Sequence, residues 1–221
     1  MTMEGAVTRS IEFLEGGLGR AAAEEMRVST PASHHDALLA DLVERVKSQD
    51  ALAFENLISH TSGKAFGLAY HLTGDYHRAQ DIVQEAYLKV FRHIGSLRNP
   101  DSFKSWLAQI IANLAREWQQ RKGKEIPLDT SSLASAAPPQ PLKESALDAA
   151  CTRESVKEAL GALSLAEKTT ILLREYCDLT YEEISKTLKI PLGTVKSRLS
   201  EARKKMALWL SGKEEHSNEM Q

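Results

Sequence analysis

The chain is predicted to be all-α, folded as two small helical domains joined by a flexible linker, and three observations carry that prediction. Apolar residues recur at spacings of three and four, as the buried stripe of an amphipathic helix requires. No β-type alternation interrupts this pattern through residue 122. From Gly123 to about Leu142 the composition then turns to Ser, Ala and Pro, with Pro127, Pro138, Pro139 and Pro141, before helical spacing resumes. Such a stretch is a tether and not an element.

Residues 1–32 form an N-terminal extension with glycines at 16, 17 and 19 and little periodicity beyond Ile11, Phe13 and Leu14. It is expected to be poorly ordered, with at most a short helix around Ala21–Arg27. Ser33 followed by Asp36 reads as a capping box opening a helix with Leu38, Leu39, Leu42, Val43 and Val46 on one face. A second helix is expected from about Ala51 to Leu72, with Phe54, Leu57, Ile58, Ala65, Leu68, Ala69 and Leu72 inward. Thr73–Gly74–Asp75 ends it and starts a third, to about Ile94, carrying Ala79, Ile82, Val83, Ala86, Tyr87, Val90 and Phe91. Asn99–Pro100 is a cap-plus-first-turn signal for a fourth helix. Its stripe is Phe103, Trp106, Leu107, Ile110, Ile111, Leu114 and Trp118. Phe103 and Trp106 are read as core.

After the tether, helices are expected at about Leu147–Leu163 and Ser164–Tyr176, the latter opened by the box Ser164-x-x-Glu167. Thr180–Leu188 has its own box with Glu183, and Pro191–Leu210 follows. The resulting domains are 33–122 and 147–212, with a linker over 123–146 and a tail over 213–221.

Composition limits the chemistry. A chain of 221 residues with 42% hydrophobic and 26% charged residues is an ordinary globular composition. A formal net charge of −2 means that nucleic-acid binding would have to rest on a local basic face. Cys151 and Cys177 stand alone, so neither a disulfide framework nor a zinc signature is present in the sequence, and a reducing cytosol is expected. His34–His35 lack a second ligand pair and read as solvated loop residues. No secretory leader or spanning segment is expected. No nucleophile–base constellation, carboxylate pair or phosphate-cradling loop stands out, so neither a catalytic residue nor a cofactor, metal or small-molecule substrate is assigned.

The segment YEEISKTLKIPLGTVKSRLSEARKKM has the pattern of a helix-turn-helix. Ile184, Leu188, Ile190, Val195, Leu199 and Ala202 should be buried, with Pro191 at the first position of the second helix. Lys196, Ser197, Arg198, Ser200, Arg203 and Lys204 are then left on its sides and outer face. A helix about 10–12 Å across fits a major groove about 12 Å wide, where Arg and Lys donate to guanine edges and phosphates. Gly193 and Thr194 at its start allow close backbone approach to a phosphate.

The wider sequence resembles a bacterial RNA polymerase sigma factor of the extracytoplasmic-function group. AFENLISHTSGKAFGLAYHLTGDYHRAQDIVQEAYLKVFRHI followed by SFKSWLAQIIANLAREW is similar to sigma region 2, and the stretch from about Val156 to Leu210 is similar to region 4. The resemblance implies a promoter-specificity subunit that binds the β′ clamp and β flap of core RNA polymerase, promoter DNA, and an anti-sigma factor. It implies a protein that is not an enzyme and works in the cytoplasm at the nucleoid.

It also assigns sites. Asp81, Gln84, Glu85 and Lys89 would dock on the polymerase clamp. Arg98, Asn99, Ser102, Lys104, Asn113, Arg121 and Lys122 would open and hold the −10 element. Thr194, Lys196, Ser197, Arg198, Arg203 and Lys204 would read the −35 element. Ala112, Gln119, Gln120 and Glu201 depart from the basic residues frequent in such proteins and thin the charge at both DNA sites. Two other functions fit parts of the pattern: a stand-alone helix-turn-helix regulator, which Asp81–Phe91 argues against, and an interaction protein whose first domain serves mainly to bind a regulator.

Overall fold

The computed structural model describes residues 32–122 and 155–218, with side chains placed for 35–121 and 155–209. Expectations for the N-terminal extension, the tether, Cys151, Leu147–Glu154 and the last three residues fall outside the described residues. The chain divides into two units, Met1–Lys124 and Glu125–Gln221. All regular structure in the described residues is helical.

The first unit contains α1 (Ala32–Lys47), α2 (Ala51–Thr73), α3 (Tyr76–His93), 3-10 turns at Ile94–Ser96 and Pro100–Ser102, and α4 (Phe103–Lys122). Helix α2 is the centre, packed by α1, α3 and α4. Its apolar stripe explains this: Phe54, Leu57, Ile58, Leu68 and Leu72 are all but sealed from solvent, as are Val83, Val90, Phe103 and Ile111 on the helices packed against it. Each such side chain contributes about 1.5–3 kcal/mol through burial. Within this core the Thr61 and Tyr87 hydroxyls lie 2.7 Å apart, while Thr61 Oγ1 donates to the Leu57 carbonyl. The buried oxygens thereby satisfy each other.

The helix junctions follow local chemistry. Asp50 caps α2, accepting from the Leu52 and Ala53 amides, and its other oxygen takes two hydrogen bonds from Arg45. Together these hold its carboxyl below the usual range, the Arg45 hydrogen bond acting most strongly. Gly74 ends α2 with φ of 72°, a left-handed conformation that costs glycine little, and Asp75 caps α3. Asn99 accepts from the Asp101 amide with Pro100 at the first position of the 3-10 turn that leads into α4.

Five expectations need correction here. Helix α1 already includes Ala32, so Ser33 lies in its first turn and not ahead of it. Leu38 is 38% exposed because it sits at the margin of the α1 stripe, beside the fully inward Leu39. Phe91 and Trp106 are half-buried: Phe103 is in the core, and Trp106 packs edge-on against it from the margin, with centroids 6.2 Å apart. His35 lies in α1, half-buried, beside His60.

In the second unit a helix over 155–161 (α5) is followed by α6 (Leu165–Glu175), α7 (Tyr181–Leu188) and α8 (Leu192–Asn218). Ser164–Glu167 and Thr180–Glu183 both form reciprocal capping boxes. Pro191 precedes the first helical residue of α8, and its carbonyl accepts from Thr194 and Val195. Helix α8 runs past Leu210 through 213–218, into the stretch expected as a tail. The core holds Leu160, Leu173, Leu179, Ile184, Val195, Leu199 and Ala202; Leu188 and Ile190, at the turn, are half-buried.

Candidate nucleic-acid and polymerase interface

The turn between α7 and α8 is built from backbone bonds that ordinary sequence signals do not announce. Lys189 adopts φ of 54°, its amide bonds the Lys186 carbonyl, and the Ile190 amide bonds the Ser185 carbonyl at 3.1 Å. This is the Schellman pattern, with lysine where glycine is usual. The Ser185 hydroxyl then donates to the Ile190 carbonyl at 2.6 Å, tying the turn back onto α7.

With Val195, Leu199 and Ala202 fully inward, 100° per residue sets the rest of α8. Lys196 and Ser197 are exposed, and Arg198 and Thr194 are half-buried on the opposite flank. Ser197 Oγ donates to the Thr194 carbonyl at 3.1 Å, leaving its lone pairs outward. Lys196 and Arg198 form no ion pair among the described residues. Lys204 is only loosely held, 3.6 Å from Glu201.

Arg203 differs. It donates to Glu175 of α6 at 2.6 Å, and this bond, with Tyr181 adding, raises the guanidinium pKa further. Lys205, which carries no signal in the sequence pattern, donates to Glu167 at 2.7 Å. Two cations from α8 thus brace it against α6. Arg174 completes the scaffold, donating to the Leu179 carbonyl and lying 5.3 Å from the Tyr181 ring centroid. None of these contacts has a local sequence signal, because the partners lie 28 and 38 residues apart in the α8–α6 pairs.

On α3, Asp81, Gln84, Glu85 and Lys89 fall on one outer stripe opposite Ala79, Ile82, Val83, Ala86 and Val90. Arg78 pairs with Asp81 at 3.2 Å and Lys89 with Glu85 at 3.1 Å. Such exposed pairs contribute little stability.

The residues assigned to the −10 element divide. Arg98, Asn99, Ser102 and Lys104 lie together across the 3-10 turns and the first turn of α4, with Arg98 and Asn99 exposed. Lys104 is ion-paired with Asp36 of α1. Asn113 is exposed but about 180° around α4 from Lys104, taking 100° per residue. It accepts a long hydrogen bond from Arg116. Arg121 is exposed near the helix end, and the Lys122 side chain is outside the described set. Gln119 is occupied structurally, its amide donating to the Leu72 carbonyl at the end of α2.

Both units have matches among known proteins. Residues 57–125 match the family Sigma-70 region 2, and residues 153–206 match Sigma-70, region 4. The RNA polymerase sigma-H factor of Pseudomonas aeruginosa is 32% identical over 171 residues, covering 73% of this chain and 88% of that one. The ECF RNA polymerase sigma-E factor of Escherichia coli K12 is 31% identical over 172 residues, with 73% and 88% covered. Two solved structures share the fold. CnrH, in complex with the cytosolic domain of CnrY, gives a TM-score of 0.59 at 19% identity over 79% of this chain and 98% of that one. The sigma factor RpoE of Bartonella quintana, in complex with the anti-sigma factor NepR, gives 0.57 at 22% over 72% and 96%. No helix among the described residues is long and apolar enough to cross a membrane, and no metal-binding cluster occurs among them. A region 2 bundle and a region 4 helix-turn-helix in one chain, matched along most of the length of its relatives, place the protein in the extracytoplasmic-function group of RNA polymerase sigma factors, the subunits that direct polymerase to specific promoters.

Proposed function

We propose that α3 docks the chain on the β′ clamp through Asp81, Gln84, Glu85 and Lys89, that Arg98–Lys104 opens the −10 element, and that α8 reads the −35 element. The observation that carries this is the division of labour along α8. Val195, Leu199 and Ala202 are sealed inward, whereas Lys196, Ser197 and Arg198 project from its first turns without ion-pair partners among the described residues. A helix presented this way inserts its N-terminal half into a major groove. Arg203, held by Glu175, acts as a brace that sets the angle of α8 more than as a reader of bases. Within the −10 set, Arg98, Asn99, Ser102 and Lys104 form the contact, with Asn113 and the 121–122 end of α4 reaching a separate part of the strand.

The two domains, 33–122 and 147–212, gain from being joined. A tether of about twenty residues spans at most about 65–70 Å. Two promoter elements about two turns apart are separated by roughly 70 Å, so each domain raises the effective concentration of the other. The protein acts as a non-enzymatic binding subunit in the cytoplasm at the nucleoid, contacting the β flap as well as the clamp. An anti-sigma factor is a further partner, supported by the complex in which the Bartonella RpoE was solved. The test is co-purification with core polymerase. Asp81→Ala/Gln84→Ala should lose assembly while keeping its helical content, and normal assembly by that variant removes the docking role from this stripe.

A further inference from the structure

Paired and unpaired cations occupy different parts of the helix-turn-helix. Arg203, Lys204 and Lys205, midway along α8, each face a carboxylate: Glu175 at 2.6 Å, Glu201 at 3.6 Å and Glu167 at 2.7 Å. Lys186 of α7, Lys189 of the turn, and Lys196 and Arg198 of α8 form no ion pair among the described residues. Lys186 and Lys189 are both exposed, and no assigned site uses them. The Glu183 carboxylate, on the same helix as Lys186, is taken up by the Thr180 amide and hydroxyl at 2.7 and 2.8 Å. Glu182 is exposed one turn before Lys186 and does not pair with it. Backbone bonds fix both lysines against the start of α8. The Lys189 amide donates to the Lys186 carbonyl at 3.3 Å, and the Ile190 amide to the Ser185 carbonyl at 3.1 Å. The Ser185 hydroxyl returns to the Ile190 carbonyl at 2.6 Å, and the Pro191 carbonyl accepts from Thr194 at 2.9 Å. Lys189 sits in this frame with φ of 54°, where an L side chain costs more than glycine. Among the described residues, no hydrogen bond or ion pair of its ammonium offsets that cost.

We infer that Lys186 and Lys189 hold the DNA phosphates beside the groove that α8 enters, and that Lys189 keeps its left-handed position for this contact at the expense of stability. This rests on the reading of α8 as the −35 helix and extends it. In a helix-turn-helix the second helix enters the major groove by its N-terminal residues while the first crosses the backbone. The C-terminal end of α7 and the turn therefore lie beside the phosphates flanking the groove, at the end where Thr194, Lys196 and Ser197 enter. Two cations there set the register and angle of α8 without reading sequence. The tight pairs of Arg203 and Lys205 with α6 leave the middle of α8 less charge to offer, so the backbone contact shifts toward the turn. A strained backbone position that carries an unpaired charge is the kind of feature that function retains against stability.

The test uses the full-length chain and a fluorescein-labelled DNA duplex of mixed sequence, titrated by anisotropy over a series of salt concentrations. Each phosphate contact adds about 0.9 to the slope of log affinity against log salt, so Lys186→Gln/Lys189→Gln should make the slope shallower by up to about 1.8. By the same relation a contact negligible at about 1 M salt is worth about eightfold at about 0.1 M, so each lysine lost should weaken binding there by up to about eightfold. The loss should be uniform across duplex sequences. Lys189→Gly separates a binding role from a merely structural one. It should raise the melting temperature of the second unit, because glycine takes the left-handed conformation freely, and yet weaken binding with a slope shallower by up to about 0.9. Lys189→Arg keeps the charge and should keep the wild-type slope. A wild-type slope in the double variant or in Lys189→Gly overturns the inference. Lys196→Gln, within the −35 set, reports on the underlying reading. If it flattens the slope and the double variant does not, α8 still meets DNA and only the contact at α7 and the turn fails. If neither changes the slope, the reading of α8 fails and this inference with it.

Discussion

Glu167 joins two features of the second unit, and removing it should loosen α8 from α6. One of its oxygens accepts from the Ser164 amide at 2.9 Å and hydroxyl at 2.7 Å; the other accepts from Lys205 at 2.7 Å. The Lys205 hydrogen bond, then the Ser164 hydroxyl and amide, hold the carboxyl down to about 2 from an ordinary value of 4.5. Taken whole, a depression of that size corresponds to about 3 kcal/mol. The carboxylate side chain is only 13% exposed, but the Lys205 side chain is 46% exposed, so solvent screens the pair. Discounting for that, Glu167→Ala should cost about 2 kcal/mol, shared between the lost capping-box bonds to Ser164 and the lost Lys205 pair. Glu167→Gln keeps a capping group and loses the ion pair, and should cost under about 1 kcal/mol. Because the folded pKa is depressed, the stabilisation is complete above about pH 4.5 and is lost as pH falls through about 2. Hydrogen exchange read separately on α6 and α8 measures this in the intact chain. The reasoning is refuted if Glu167→Ala speeds exchange in these helices no more than Glu182→Gln, a change at an exposed first-turn residue of α7.

Three further outcomes are expected. Arg198→Ala should cost about 1–3 kcal/mol of promoter affinity and relax preference at one −35 base pair, whereas Arg203→Ala should leave base preference intact and speed exchange in α6 and α8; a full set of single-base −35 variants separates them. Lys189→Gly should raise the melting temperature of the second unit, because a left-handed residue costs lysine about 1 kcal/mol more than glycine, and a lower melting temperature would contradict the Schellman turn. Deleting about ten residues of the Gly123–Leu142 tether should shift the preferred spacing between promoter elements, while a Gly/Ser replacement of equal length should preserve it, as scored by transcription from templates of graded spacing.

What could be read from the sequence was what local chemistry determines. The boxes Ser164–Glu167 and Thr180–Glu183 and the Thr73–Gly74–Asp75 junction involve residues at most three apart, and they form as written. The inward stripes of α2 and α3 were equally visible, because periodicity alone selects a buried face. Turns made by unusual residues were not. Gln49, Asp178 and Lys189 all take positive φ, with neighbouring backbone bonds supplying what glycine would have offered. Side-chain occupation across helices was also hidden. Nothing near Arg203 in the chain marks Glu175 as its partner, nothing near Gln119 points to the Leu72 carbonyl, and Lys104 reads as a free cation until α1 brings Asp36 to it. The candidate sites were therefore legible as residue types on the right elements. Which of them are free to bind required the fold.

The most direct test of the central claim is transcription in vitro from fragmented genomic DNA by core RNA polymerase with and without this chain, with the start sites mapped. The account predicts starts that depend on the added chain and share two sequence elements at fixed spacing, and that vanish with Asp81→Ala/Gln84→Ala. Starts no different from those of core polymerase alone would contradict it.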